Sequence, residues 1–459
     1  MRITIAGAGK VGTHLAKYLS SESQDIYVID AERDNLSALD LDFNLMTVEG
    51  NPTDFSVLRR GRADSADMFI AVTPVTSDNL VACSMAKSMG ARLTVARVDR
   101  SDYFEDRNRI VLEGMGVDRV IFPEMLASLV ILDALRHPWT RVWHQFPDAD
   151  IVMLAVRIGN GAPVAGKRLR DLADMSGLMH VSAVRRHPDH KGWNDRKTFR
   201  TVNTVIPRGD TLVEEGDVLY VTTLKKGIPK VMELCGKHSS GIRKVLVSGS
   251  GKLARTLVTL GKDDFSYTII EPDPDMCREL TRRCPHCRII NGDTADDSAL
   301  AEAGLLSANA FLALSDSDES NIVCSLTAIE AGVGKQIAEI ERLELISRAE
   351  MLGIDTIINK QTITTNAIFQ LMLDADASTS RCLPLDDAEV GRLTVSAGSV
   401  LTQGAVKDLD LPPELTLAGL IRNGNGALVT GSTRLLPGDN VIVFCLGGAL
   451  HKVEKLFGR

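Results

Sequence analysis

Nowhere does the sequence hold an apolar run long enough to cross a bilayer. The longest, ASLVIL near Leu129 and VIVFCLGGAL after Asn440, fall short of the ~18–20 residues a span needs, which excludes a membrane-embedded role. Positive charge is also in deficit. Against 52 Lys and Arg stand 60 Asp and Glu, a net charge of -8, and such a surface lacks the dense basic footprint that a nucleic-acid partner requires. No charged, hydrophobic and small-residue triad precedes the first strand pattern, so no export signal is expected and the chain is expected to be cytoplasmic. There its 8 cysteines are reduced thiols rather than a disulfide framework. A zinc-site pattern is lacking too. The pair in Cys284-Pro285-His286-Cys287 has no second Cys or His pair at finger spacing, so it reads as a helix-to-strand junction. His180, His187 and His190 have no carboxylate spaced to orient them and read as a solvated loop.

What is present is ordinary globular material, 44% apolar and 24% charged. A chain of 459 residues outgrows one core, so three or four domains are expected. The opening phrase MRITIAGAGKVG sets out the first. Ile3 to Ala6 read as a buried strand, and Val11, Leu15 and Leu19 follow at helical spacing. Between them lie Gly7-Ala8-Gly9-Lys10-Val11-Gly12. In such a turn the first glycine allows the bend, the second lets backbone approach a pyrophosphate, and the third lets helix and strand pack. The helix N-terminus supplies free N–H groups to the phosphates. A second strand, Ile26 to Ile29, ends in Asp30, about twenty residues on, where an acid would bond the adenine ribose and repel a 2′-phosphate. NAD(H) or plain adenosine nucleotides are therefore favoured over NADP.

The rhythm continues with strand Met46–Val48, a helix from Asp54, strand Met68–Val72, a helix from Asn79 and strand Leu93–Val98: a parallel, doubly wound sheet. Thr73 and Pro74 fall at its carboxyl edge, where such sheets hold ligands. Arg97 stands in an apolar strand and reads either as a phosphate contact or as half of a structural ion pair.

The phrase returns as VLVSGSGKLA. Gly249, Gly292, Asp296 and Asn321 each lie 242 residues after Gly7, Gly50, Asp54 and Asn79, and Glu271 answers Asp30 at 241. The chain therefore carries two copies of one nucleotide-binding domain. They differ in charge and shape: Gly12 becomes Ala254, Thr73 becomes Ser315, and Arg97 becomes Glu339. The second pocket should bind another nucleotide, bind more weakly, or stay empty. Each copy is followed by a smaller segment with alternating apolar residues after Gly216-Asp217 or Gly438-Asp439, read as a compact α+β module. The first carries an extra loop around His187 to Trp193. A leucine-rich helix after Pro123 joins large to small and reads as a core or partner-facing helix. The second small segment has no histidine before His451, so an acid–base group for catalysis is not evident.

The order nucleotide domain, small domain, nucleotide domain, small domain resembles the TrkA family, peripheral regulatory subunits of bacterial Trk potassium uptake built from two tandem RCK (KTN) units. The likeness rests on IAGAGKVG, Asp30, the GNPTD and GDTAD loops, AVTPVTSDN with ALSDSDESN, and Ala96 to Val98. It implies an α/β fold of two tandem Rossmann-like, doubly wound parallel-sheet domains, each followed by a small α+β RCK C-terminal domain, with limits 1–123, 143–227, 242–358 and 372–456. It also implies a non-catalytic sensor of NAD(H) and of ATP or ADP, in a ring of RCK units on the inner face of the cell membrane. The partner would be an integral membrane potassium channel subunit of the Trk type. Nucleotide contacts in the first unit would be Gly7, Ala8, Gly9, Lys10, Val11, Asp30, Thr73, Pro74 and Arg97. Their second-unit counterparts would be Gly249, Ser250, Gly251, Lys252, Leu253, Glu271 and Ser315. The rival reading is an NAD-dependent oxidoreductase with a duplicated Rossmann fold; a third is a scaffold with dead pockets.

Overall fold

The 242-residue repeat reappears as two runs of the same strand–helix succession. The computed structural model describes every residue except 21–23, 41–44, 147–148, 176, 187–203, 239–240, 376–381, 386–387, 447–452, 454 and 459. The extra loop at His187 to Trp193, and His190 and His451 with it, lie outside the described residues. The first run comprises β1 (Arg2–Ala6), α1 (Lys10–Ser20), β2 (Asp25–Asp30), α2 (Arg33–Asp40), β3 (Met46–Glu49), α3 (Phe55–Arg60), β4 (Met68–Ala71), α4 (Thr76–Met89), β5 (Leu93–Arg97), α5 (Asp106–Gly114), β6 (Arg119–Ile121) and α6 (Pro123–Arg136). The small segment behind it holds β7 (Val142–Gln145), β8 (Ile151–Arg157), β9 (Met179–Arg185), β10 (Thr204–Val205), β11 (Val218–Leu224) and α7 (Ile228–Leu234). The second large run comprises β12 (Lys244–Ser248), α8 (Lys252–Leu260), β13 (Ser266–Glu271), α9 (Pro274–Arg283), β14 (Arg288–Asn291), α10 (Asp297–Ala303), β15 (Ala310–Ala313), α11 (Asp318–Glu330), β16 (Lys335–Glu339), α12 (Leu343–Met351), β17 (Thr356–Ile358) and α13 (Lys360–Ala375). The last small segment holds β18 (Cys382–Leu385), β19 (Ala388–Thr394), β20 (Leu415–Arg422), β21 (Asn425–Leu428) and β22 (Asn440–Leu446).

Residues 1–132 and 242–375 form one compact unit. Its two six-stranded sheets have the orders β3-β2-β1-β4-β5-β6 and β14-β13-β12-β15-β16-β17, parallel throughout, with the reversal of strand order beside β1 and β12. Apolar strands covered on both faces explain the continuous runs in the sequence: β4 and β15 are buried along their whole length. Phe69 and Phe311, 242 residues apart, are fully buried at the same place in the two cores. Local signals repeat as well. Asp54 and Asp296 each cap the following helix, α3 and α10, by accepting the N–H of Ser56 and Ser298. One element departs from expectation: α4 begins at Thr76, three residues before Asn79. The side chain of Asn79 is not a cap but is drawn inward from the first turn of the helix, as shown below. The strands also end earlier than the apolar runs, at Ala71 and Arg97.

The two copies exchange elements inside this unit. Helix α13 at the end of the second copy packs on α1 of the first, with Tyr18 edge-on to Phe369 at 5.3 Å. Leu132 in α6 of the first copy presses on Gly261 at the end of α8, within 2.6 Å of where a Cβ would stand. The helix after Pro123 is thus a packing helix, burying Ala127, Ile131 and Leu132.

Residues 133–241 and 376–459 form the second unit. Two five-stranded sheets, β10-β9-β11-β8-β7 and β18-β19-β22-β20-β21, are antiparallel and share one strand order when the second is read in reverse. Met153, Ala155 and Tyr220 of the first join Val390, Ile442 and Phe444 of the second in a common core, with the rings of Tyr220 and Phe444 5.5 Å apart. His180 does not sit in a solvated loop. It lies on β9, its Nε2 3.0 Å from Thr416 Oγ1 of β20, and burial pushes its pKa down to about 4. The Gly-Asp pairs seen in the sequence close equivalent turns. Buried Asp217 accepts Arg186 Nη1 at 2.7 Å and the Glu214 N–H; buried Asp439 accepts Arg422 Nε at 2.7 Å, Arg422 Nη2 at 2.6 Å and the Leu436 N–H. Among the described residues no helix is long and apolar enough to cross a membrane.

Burial pushes the Asp439 carboxyl up, but the hydrogen bonds from Arg422 and the Leu436 amide outweigh it, and the carboxyl sits below the ordinary value. A carboxyl whose folded pKa is depressed contributes stability above its unfolded pKa and loses it as pH falls through the folded one. Asp439→Asn should therefore cost about 2 kcal/mol at neutral pH. The gap to wild type should close as the pH drops below the ordinary carboxylate range, as read from urea melts between pH 7 and pH 2.

Candidate nucleotide-binding site

The first glycine turn is squeezed from two sides and open on a third. Gly7 leaves β1 with φ +105°, and a Cβ there would lie 2.9 Å from the Thr73 nitrogen. A Cβ at Gly12 would lie 1.8 Å from Gly7 O, so the helix cannot come this close with any larger residue. Gly9 has nothing within 4 Å of a Cβ and is exposed, which leaves its backbone free for a ligand to approach above the N-terminus of α1. Ala8 and Val11 are buried beneath it.

Asp30 is tied to this turn directly. Its Oδ2 accepts the Ala8 N–H at 2.5 Å, while Oδ1 accepts the Glu32 N–H at 2.8 Å and Asn35 Nδ2 at 3.2 Å. The carboxylate expected to meet a ribose thus also fixes the strand–turn junction.

The other wall is built by Asn79. Its Oδ1 accepts the Thr73 N–H at 2.9 Å and the Thr73 hydroxyl at 2.7 Å; its Nδ2 donates to Thr73 O at 3.0 Å and to Arg97 O at 2.9 Å. All four hydrogen-bonding capacities of one buried amide are used. They lock the loop after β4 to the end of β5, and so set the position of Thr73, Pro74 and Arg97 against Gly7. Asn321 repeats the pattern on Ser315 N–H (2.9 Å), Ser315 Oγ (2.7 Å), Ser315 O (2.8 Å) and Glu339 O (2.8 Å). The sequence marked these asparagines as members of the repeat, and Asn79 as a helix start, but not as site residues; buried and placed just after each strand-four loop, they organise both sites.

Arg97 is half-buried at the carboxyl edge of the sheet, and its guanidinium makes no hydrogen bond or ion pair with the described residues. Of the two readings of Arg97, the structural ion pair is therefore not the one observed. An unpaired half-buried cation at the carboxyl edge of the sheet that carries an open glycine turn is available to an anion.

The second turn has the same backbone and the opposite electrostatics. Gly249 has φ +95° and packs on Leu314 and Ser315 as Gly7 does on Thr73. Glu339, in Arg97's place, is buried and paired with Lys360 Nζ at 2.7 Å. Burial pushes its carboxyl up, and Lys360 offsets only part of that. Asp316 holds a carboxylate oxygen 3.9 Å from where a Cβ of Gly251 would be, over the face that is open at Gly9. Glu271 turns back to its own loop, accepting the Asp273 N–H at 3.0 Å, and does not staple Ser250 as Asp30 staples Ala8. Ala254 is fully buried at the position corresponding to Gly12, where in the first copy a Cβ would lie 1.8 Å from Gly7 O. Leu253 is buried and Lys252 exposed, like Val11 and Lys10. Asp316 was legible as the 242-residue counterpart of Pro74. Lys360 was not, because it lies outside every motif and reaches Glu339 only through the fold.

Cys284 closes α9 and Arg288 opens β14, so the cysteine pair does sit at a helix–strand junction. A separate cavity of about 350 Å³ in the second unit is lined by Met179, His180, Leu415, Thr416, Leu417 and Val429, among others.

A duplicated Rossmann-type domain with a glycine turn, a strand-two acid and a strand-five cation in the first copy defines the class: a dinucleotide-fold protein with paired small β modules. The family model of the TrkA-N domain matches residues 3–123 and 245–360, over half of the chain, and that of the TrkA-C domain matches 390–458. The chain belongs to the TrkA family. It is 28% identical to the Trk system potassium uptake protein TrkA homolog 1 of Methanosarcina mazei, over 100% of both chains. It is also 28% identical to the Trk system potassium uptake protein TrkA of Haemophilus influenzae, over 100% of this chain and 98% of that one. Among solved structures it resembles the GsuK RCK domain (16% identity, TM-score 0.59, covering 100% of this chain and 95% of that one). It likewise resembles the GsuK channel bound to NAD (16%, TM-score 0.60, covering 100% and 79%). At that identity these likenesses speak to the fold.

Asn79→Ala should strand the Thr73 N–H and the carbonyls of Thr73 and Arg97, and cost ~3 kcal/mol of stability. Asn79→Asp keeps the accepting oxygen but turns a buried carboxylate oxygen toward the carbonyls of Thr73 and Arg97, and should lower the melting temperature at neutral pH at least as much as Asn79→Ala.

Proposed function

We infer that this chain is a non-catalytic, nucleotide-sensing regulatory subunit of a membrane potassium-uptake system. The family and the end-to-end match to Trk system potassium uptake proteins support the system. The observation that carries the sensing role is the unpaired, half-buried Arg97 at the carboxyl edge of the same sheet that ends in the open Gly9 turn. In this reading Gly7, Ala8, Gly9, Lys10 and Val11 cradle the phosphates of NAD(H), ATP or ADP, Asp30 takes the ribose, and Thr73, Pro74 and Arg97 close the far side. In the division into 1–123, 143–227, 242–358 and 372–456, sensing falls to the first large module. A ring of such chains on the inner face of the membrane, against an integral channel subunit of the Trk type, would convert occupancy into gating through the ligand's different affinity for two ring conformations.

The second pocket takes no phosphate in this reading. Asp316 holds a carboxylate over Gly251, where a pyrophosphate would approach, and the Arg97 position is taken by Glu339, whose charge is paired with Lys360. Gly249, Ser250, Gly251, Lys252, Leu253, Glu271 and Ser315 then preserve the fold of the turn rather than a nucleotide contact.

Calorimetric titration of the purified protein with NADH, NAD, ATP and ADP should give one saturable site per chain. Arg97→Ala should weaken binding about tenfold, ~1.4 kcal/mol, with the melting temperature of the unliganded protein unchanged. Two sites per chain would refute the closed second pocket. NADH turnover with a small acceptor would favour the oxidoreductase, and no binding by any nucleotide would favour a scaffold.

A further inference from the structure

The lysine of each glycine turn is held by the other copy. Lys10 is ion-paired with Glu341, and Lys252 with Asp99 at 3.4 Å. The partners are themselves equivalent, since 252 − 10 and 341 − 99 are both 242. Each acid lies two residues past its fifth strand, β5 or β16. The two ion pairs are therefore one contact made twice across the pseudo-twofold relation of the two large domains.

The acids are anchored differently. Asp99 is fixed by the Thr76 hydroxyl at 2.8 Å. Glu341 has a second cation, Lys360 Nζ, 3.8 Å from its other oxygen, and its backbone N–H is held by Asp318 Oδ1 at 2.9 Å. A Glu341 that gives up Lys10 keeps a share of Lys360, whose closer partner is Glu339. Lys10 is 70% exposed at its side chain and Glu341 37%, so the pair adds little to fold stability. Its position matters more: it occupies the only cation of the first turn, beside the open face of Gly9.

We propose that Glu341, supplied by the second domain, is a specificity-determining residue of the first nucleotide site, an anionic gate that discriminates by phosphate charge. The proposal rests on the nucleotide reading of the first turn. An incoming phosphate must draw Lys10 from Glu341 and lie near the carboxylate left behind. The opposition grows with ligand charge, so the gate acts most on a triphosphate, less on a diphosphate, least on the pyrophosphate diester of a dinucleotide, and not on an uncharged nucleoside. Removing the carboxylate should relax the preference in that order.

Calorimetry on the full-length protein with ATP, ADP, NADH and adenosine tests this. Glu341→Gln should tighten ATP about tenfold, ADP less and NADH least, with adenosine unchanged. The gain should shrink when Lys10 is also replaced by Ala, and should diminish as salt is raised. Asp99→Asn, the equivalent change at the second turn, should leave all four affinities at the first site unchanged. A Glu341→Gln protein with wild-type ATP affinity, or with adenosine changed by the same factor as ATP, overturns the gate while leaving the nucleotide site standing. Wild-type protein that binds none of the four overturns the site and the gate together.

Discussion

The architecture of both large domains hangs on how closely the first glycine of the turn approaches the residue after the fourth strand. There is no room for a Cβ between Gly7 and Thr73, or between Gly249 and Ser315. A loop pressed that tightly onto a neighbouring turn must have its own polar backbone satisfied from behind, and a single asparagine amide does this in each copy. With the amide in place the fifth strand is held in register as well, because its last carbonyl is one of the four partners. Turn, loop and strand end are thereby one rigid body, and whatever side chains are mounted on it are presented with fixed geometry.

Upon that shared frame the two copies carry different charges. The first presents an uncommitted guanidinium and an open glycine; the second presents a carboxylate over its glycine and an internal ion pair in place of the guanidinium. Duplication thus preserved the hydrogen-bonded skeleton and let the electrostatics diverge. The divergence is not isolated to one domain, since each turn lysine is neutralised by an acid belonging to the other.

Much of this was legible in the chain. Glycine turns, buried strands and the capping aspartates leave local signatures, and a constant 242-residue offset shows that they recur in register. The strand-two acid was found by its distance from the turn, and Arg97 as a charge in an apolar strand. What escaped were features made by contact between distant segments. Lys360 carries no motif and matters only because it reaches Glu339. Asn79 reads as a helix start, yet the helix begins at Thr76 and the amide points inward. His180 reads as a loop residue because no carboxylate is spaced to orient it, while the structure places it on a strand against Thr416.

The packing of α13 on α1 has a consequence for biosynthesis. Helix α13 begins 350 residues after α1, so at ~5–20 residues per second it leaves the ribosome about 20–70 s later. Throughout that interval the face of α1 that will receive Phe369 has no native cover, and the intervening small segment must emerge before the gap can close. The nascent chain therefore passes through a long-lived half-built unit, whose uncovered helix is the place where a chaperone, or a second nascent copy, would first find it.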